Sequence, residues 1–151
     1  MTKTPVLLVS GSRKTPLIGG SNKMHIGYFE AIIDRALANG WHVIVGDAIG
    51  VDQSLAYAAT NYKYHKNKPF MMVYGIQDRP RHNIASSQVL YTDVSEKCKT
   101  YTARDDFMLS QADFVYCIWN GTSKGTRRVY ERAIRAGKID GVNVWIKEVI
   151  E

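Results

Sequence analysis

Apolar residues recur along this chain in two alternating rhythms, and the alternation marks out its elements. Val6-Leu7-Leu8-Val9 is a nearly continuous apolar run that ends in Ser-Gly-Ser-Arg, the pattern of a strand covered on both faces. Residues 12–23 hold Pro16, Gly19-Gly20 and Ser21-Asn22, too many breakers for a helix. Over residues 25–38 the spacing of Ile26, Phe29, Ile33, Ala36 and Leu37 predicts a helix, and Asn39-Gly40 ends it. A second strand follows at residues 42–45. Behind the turn Gly46-Asp47-Ala48-Ile49-Gly50-Val51-Asp52, the spacing of Val51, Leu55, Ala58 and Ala59 is again helical. Phe70-Met71-Met72-Val73-Tyr74 predicts a third strand.

Residues 75–99 show no sustained periodicity and read as one long connection, the kind that often serves as a lid or binding loop. After it, residues 102–111 predict a short helix with Phe107 and Met108 inward. Phe114–Trp119 predicts a fourth strand, residues 126–136 a helix stopped by Gly137, and residues 142–146 a fifth strand. Strands alternating with helices imply right-handed crossovers, so the expected fold is α/β: a Rossmann-like three-layer sandwich around a mainly parallel, five-stranded sheet. With those strands in the order 3-2-1-4-5, the first and fourth are neighbours across a switch point. Ligands in such folds bind beyond the carboxyl ends there.

The joint between the fourth strand and the last helix, Trp119-Asn120-Gly121-Thr122-Ser123-Lys124-Gly125-Thr126, is rich in small residues. Glycine lets backbone approach a ligand, and free amides at a helix start favour phosphate. The bland alternative is a turn with an N-cap. What favours a site is that Gly11-Ser12-Arg13, Gly46 to Asp52 and the 119–126 joint all follow strand ends, and the first and third would share one crevice.

Composition narrows the setting. With 151 residues and 45% hydrophobic content, the chain suits one globular domain with a real core. No apolar run is long enough for a membrane span or a signal-peptide core, which gives the expectation of a cytoplasmic protein without membrane contact. Cys98 and Cys117 form neither a zinc pattern nor a disulfide framework and read as reduced thiols. His25, His42, His65 and His82 lack ligand spacing, so neither a metal nor a cofactor is expected. A net charge of +6 points to an anionic partner. Arg127, Arg128, Arg132 and Arg135 lie opposite the inward face of the last helix, as a solvated face or, less favoured, a nucleic-acid footprint. Lys63, His65, Lys66 and Lys68 make a second basic cluster.

Taken together, Val9-Ser10-Gly11-Ser12-Arg13, Gly46 to Asp52, Arg104-Asp105-Asp106-Phe107-Met108 and Gly121-Thr122-Ser123-Lys124-Gly125-Thr126 resemble the motifs of the SLOG superfamily. That superfamily groups DNA-processing protein A, the Lonely Guy phosphoribohydrolases and small stand-alone YspA-like proteins of bacteria and phages. The resemblance implies a single Rossmann-like domain over residues 1–151 whose Gly-rich loops bind a nucleotide or related phosphorylated ligand. Asp47 stands where the Gly-Gly-Ala-x-Gly-x-Asp pattern has its second glycine, so Asp47 and Asp52 become candidates for ribose hydroxyls, with helix capping as the plain reading of Asp52.

The hydrolases of the group pair an Arg-to-Met helix with a Gly-Thr-x-x-Glu loop. Arg104, Met108 and Gly125-Thr126 keep those spacings, but the glutamate position falls on Val129, which has no proton to move. Three readings follow. In the first, the chain senses or sequesters a nucleotide: Gly11, Ser12, Arg13, Gly46, Gly50 and Asn120 to Thr126 surround it, Arg104 or Arg13 pairs with phosphate, and Asp52 orients ribose. Trp119 either stacks on a base or packs, and Arg104 alternatively pairs at the surface with Asp105 or Asp106. In the second, an N-glycosidase or deoxyribosyltransferase uses a relocated carboxylate, Asp47, Asp105 or Asp106. The third is a DNA-binding module, which requires both basic clusters on one face. A nucleotide-like small molecule is thus the expected partner, nucleic acid the less favoured one, and a homo-oligomer is compatible with each.

Overall fold

The computed structural model describes residues 4–12, 23–48, 50–64, 66, 68–76, 86–119 and 121–144. Arg13 and Asn120, the Asp78 to His82 segment, and residues 145–146 of the expected last strand lie outside them.

Among the described residues, six parallel strands form one sheet: β1 (Val6–Gly11), β2 (His42–Gly46), β3 (Met71–Gly75), β4 (Val89–Asp93), β5 (Phe114–Trp119) and β6 (Ile139–Val144), in the order β4-β3-β2-β1-β5-β6. The helices described between them are α1 (Lys23–Ala38), α2 (Val51–Thr60), α3 (Tyr101–Gln111) and α4 (Lys124–Arg135). The five expected strands take their expected order, with the β1/β5 boundary at the centre, where Leu7 pairs with Phe114 and Gly11 with Ile118.

The continuous apolar runs are explained by burial on both faces. Leu7, Val9, Val43 and Val45 face Phe29 and Ile33 of α1 and Leu55 and Ala59 of α2. The intervening Leu8 and Ile44 face the other way, toward Met108 and Leu109 of α3 and Val129 and Ala133 of α4. Period-two alternation along each strand therefore assigns α1 and α2 to one face and α3 and α4 to the other.

Two differences from the expected pattern concern the sheet edges. The stretch read as one connection over 75–99 contains β4, paired in parallel with β3 from Met71↔Val89 to Gly75↔Asp93. Only Val89 of that strand is buried, and Leu90 is exposed, so a short edge strand carries no apolar rhythm to read. β6 begins at Ile139, three residues before the expected start. Gly141 lies there against the Tyr116 ring, beside a register shift between Val115 and Tyr116, which makes Ile139-Asp140-Gly141 look like a turn in sequence.

Candidate functional site

β1, β2 and β5 all end on the same side of the sheet, and the starts of α2, α3 and α4 converge above them. At the β1 end, the Ser12 N–H donates to the Ile118 carbonyl at 3.0 Å, and the Val51 N–H donates to the Ser12 carbonyl at 3.3 Å, stitching the start of α2 to the two central strands. A Cβ on Gly11 would lie 2.2 Å from a Val51 methyl, so the glycine serves the approach of α2. Gly50, the N-cap of α2, has φ 102°, a conformation glycine adopts without strain.

Between these elements lies a crevice of about 510 Å³, within the range of small-molecule sites. Of the residues singled out in sequence, Gly11, Gly46, Asp52, Arg104, Asp105, Thr122, Ser123, Gly125 and Thr126 line it. Ser12, Asp47, Gly50, Trp119 and Gly121 do not; Ser12 and Asp47 are buried behind it. Asp106 turns to α4, where it accepts a hydrogen bond from Arg128 at 2.9 Å and pairs with Arg132 at 3.4 Å.

One wall is made by the start of α4. Its N-cap, Ser123, makes no side-chain capping hydrogen bond, and its first turn holds no acidic residue. The first amides of any helix lack intrahelical acceptors, and the macrodipole adds partial positive charge there. Trp119 holds this loop in place, its indole N–H donating to the Ser123 carbonyl at 2.9 Å, with Gly121 at φ 87° between them. Through this hydrogen bond the tryptophan anchors the loop, the packing role considered for it from sequence. A Cβ on Gly125 would meet nothing within 4 Å, so this position is open to the crevice.

The opposite wall is charged. Arg104 is only 4% exposed, so neither a surface pair nor an unencumbered phosphate ligand describes it. Its Nη1 donates to Asp47 Oδ1 at 2.8 Å and to the Tyr74 carbonyl at 3.3 Å, and its Nε and Nη2 both donate to Asp105 Oδ1, at 3.2 and 3.0 Å. Gly46 admits this arrangement, since a Cβ there would sit 2.7 Å from the guanidinium Nη2 and 2.9 Å from Asp52 Oδ2. Asp47, a candidate catalytic carboxylate in sequence, is fully buried as the counter-charge of Arg104. Asp52 accepts a hydrogen bond from the Ala48 N–H at 3.3 Å. Burial pushes its pKa up to about 7, opposed by the Arg104 guanidinium and reinforced by Asp105 and Asp47. The Asp105 pKa is also raised, by burial first, with Arg104 pulling the other way.

Tyr101 and Thr102 line the crevice without having been singled out in sequence. Tyr101 lies under the Arg104 guanidinium, 5.0 Å from ring centroid to Cζ. The available signal was Thr100, whose hydroxyl accepts from the Ala103 N–H and so starts α3 early enough to put both residues at the strand ends. Val129, at the position of the hydrolase glutamate, is buried and does line the crevice, while Glu131 is exposed and pairs with Arg127. Among the described residues, no group of three or more His, Cys, Asp or Glu is placed to hold a metal ion, and no helix is long and apolar enough to cross a membrane.

Fold and crevice together define a Rossmann-like α/β protein with a polar strand-end site. Its fold is similar to that of DNA processing protein A from Helicobacter pylori, over 91% of this chain and 74% of that one, with a TM-score of 0.56 at 13% sequence identity. That structure was described for its mode of binding single-stranded DNA. No protein-family model and no curated protein sequence matches the chain. At the level of fold, the likeness agrees with the resemblance that the loop motifs carry.

Proposed function

We propose that the protein binds a nucleotide or nucleotide-derived phosphorylated ligand in the strand-end crevice, as a sensor or sequestering protein. The phosphate lies at the 121–126 loop and the start of α4, and the sugar faces Asp52 and Asp105. The observation that carries this reading is that one crevice joins two chemically opposite walls, a helix start whose N-cap side chain makes no capping hydrogen bond and a pair of carboxyls. Phosphate suits the first, and hydroxyls suit the second. Arg104 keeps one Nη2 hydrogen beyond its four protein hydrogen bonds, enough for one ligand contact but not for a bidentate phosphate clamp. Val129 argues against the hydrolysis implied by the resemblance. Calorimetry with a panel of nucleoside mono- and diphosphates, with mass spectrometry of small molecules that copurify, tests this; absence of binding across the panel would overturn it.

The structural likeness to a protein whose structure describes single-stranded DNA binding favours a second reading, a DNA-binding module. The charge distribution speaks against it. Arg128 and Arg132 are tied to Asp106, and Arg127 to Glu131. Lys63, Lys66 and Lys68 follow α2, which covers the sheet face opposite α4. This placement of α2 and α4 on opposite sheet faces gives no support for a single footprint.

A further inference from the structure

The carboxyl wall of the crevice is unevenly satisfied. Asp47 and Asp105 share Arg104, with Nη1 on the first and Nε and Nη2 on the second. Asp52 is 6% exposed, lines the crevice, and accepts a single hydrogen bond, on Oδ2 from the Ala48 N–H. Its Oδ1 has no hydrogen-bond partner and the carboxyl no ion pair among the described residues. The charged groups facing it are Arg104 and Asp105 from α3 and Asp47 from the segment leading into α2. From β1 the crevice receives Ser10 and Gly11, and from α4 Gly125 and Thr126, none of them charged. An ionised Asp52 would therefore stand buried beside two carboxylates and one guanidinium that both already use, without a counter-charge of its own.

We propose that Asp52 meets the bound ligand as an uncharged carboxylic acid, donating a hydrogen bond to a neutral oxygen or nitrogen of the sugar or base, and leaving phosphate to the α4 wall. This rests on the nucleotide reading of the crevice and adds to it a polarity and a proton. Burial holds the carboxyl protonated up to about pH 7, where an exposed aspartate would have ionised. A protonated carboxyl both donates and accepts, whereas a carboxylate only accepts. Ligand uptake above that midpoint therefore takes up a proton, and affinity falls by up to about tenfold per pH unit.

Two measurements on the full chain test this. Carbon-detected NMR of the unliganded protein, following the Asp52 side-chain carboxyl from about pH 4 to 9, should show its midpoint near 7; a midpoint below about 5 would overturn the proposal. Calorimetry with adenosine 5′-monophosphate over the same range should show native affinity falling relative to that of Asp52→Asn above neutrality. The titration of the nucleotide phosphate is common to both proteins and cancels in that ratio. Equal pH slopes would overturn the proposal even if Asp52 titrates near 7. If adenosine 5′-monophosphate binds neither protein at any pH, the same pair of proteins is compared with a nucleotide of the wider panel, whose complete failure overturns the nucleotide reading, while the carboxyl titration separately decides whether Asp52 presents a proton to the crevice.

Discussion

Arg104 and Asp47 form the most consequential pair at the scale of single residues, because both are buried and each is the other's counter-charge. Removing one partner of such a buried pair is strongly destabilising, at up to about 3–5 kcal/mol, and less where a second partner remains, as Asp105 does for Arg104. Arg104→Ala, which takes the guanidinium from both carboxyls, should lower stability by that order in chemical denaturation, and Asp47→Ala, which leaves Arg104 its Asp105 pair, by less. The two losses should be far from additive in a double-mutant cycle, and additive losses would show that the pair is not coupled. Asp52 behaves in the opposite sense. Its folded pKa, about 7, lies above the ordinary aspartate value of 3.8, so the folded state holds the proton more tightly and the carboxyl carries no cost of buried charge below about pH 4. The cost grows as pH rises from there to 7 and is complete above it. Asp52→Asn should accordingly be more stable than the native protein above pH 7 by a few kcal/mol at most, with the difference vanishing near pH 4. A constant difference across that range would contradict the raised pKa.

At the scale of elements, two glycines of the strand-end loops separate packing from binding. Gly11 lets α2 pack on the end of β1, and a methyl there would overlap Val51 at 2.2 Å. Gly11→Ala should lower stability by about 1–3 kcal/mol. Gly125 opens to space, so Gly125→Val should leave the melting temperature nearly unchanged, apart from a small helix-propensity effect, while blocking the α4 start. Thermal unfolding of both variants checks the contrast; equal losses would mean that residue 125 is also packed. These elements show what a sequence displays and what it hides. β1, β2, β3 and β5 are legible because burial on both faces demands unbroken apolar runs. β4 is not, because an edge strand with Leu90 exposed has no such demand. The loops were legible as a group, since three Gly-rich turns follow strand ends. The state of Arg104 was not, because its partner Asp47 lies 57 residues away and only the juxtaposition of β2 and α3 joins them.

At the scale of the whole molecule, the sheet order places the crevice at the β1/β5 boundary, where the chain leaves β1 toward α1 on one face and β5 toward α4 on the other. This is the geometry in which strand-end ligands are held. The charge pattern gives a testable contrast with nucleic-acid binding. A protein that neutralises many phosphates loses affinity steeply as salt rises, whereas one phosphate at a helix start does not. Nucleotide affinity should change by only a few-fold between low and physiological salt, and single-stranded DNA should compete weakly. Tight, steeply salt-dependent DNA binding would favour the second reading.

Binding of the phosphate at the start of α4 can be read residue by residue from amide NMR during titration with adenosine 5′-monophosphate. Saturable shifts of the Lys124, Gly125 and Thr126 amides are expected, accompanied by residues around Asp52 and lost in Gly125→Val. Saturable binding that leaves these amides unmoved and instead shifts Arg127, Glu131 and Arg135 on the outer face of the helix would contradict it.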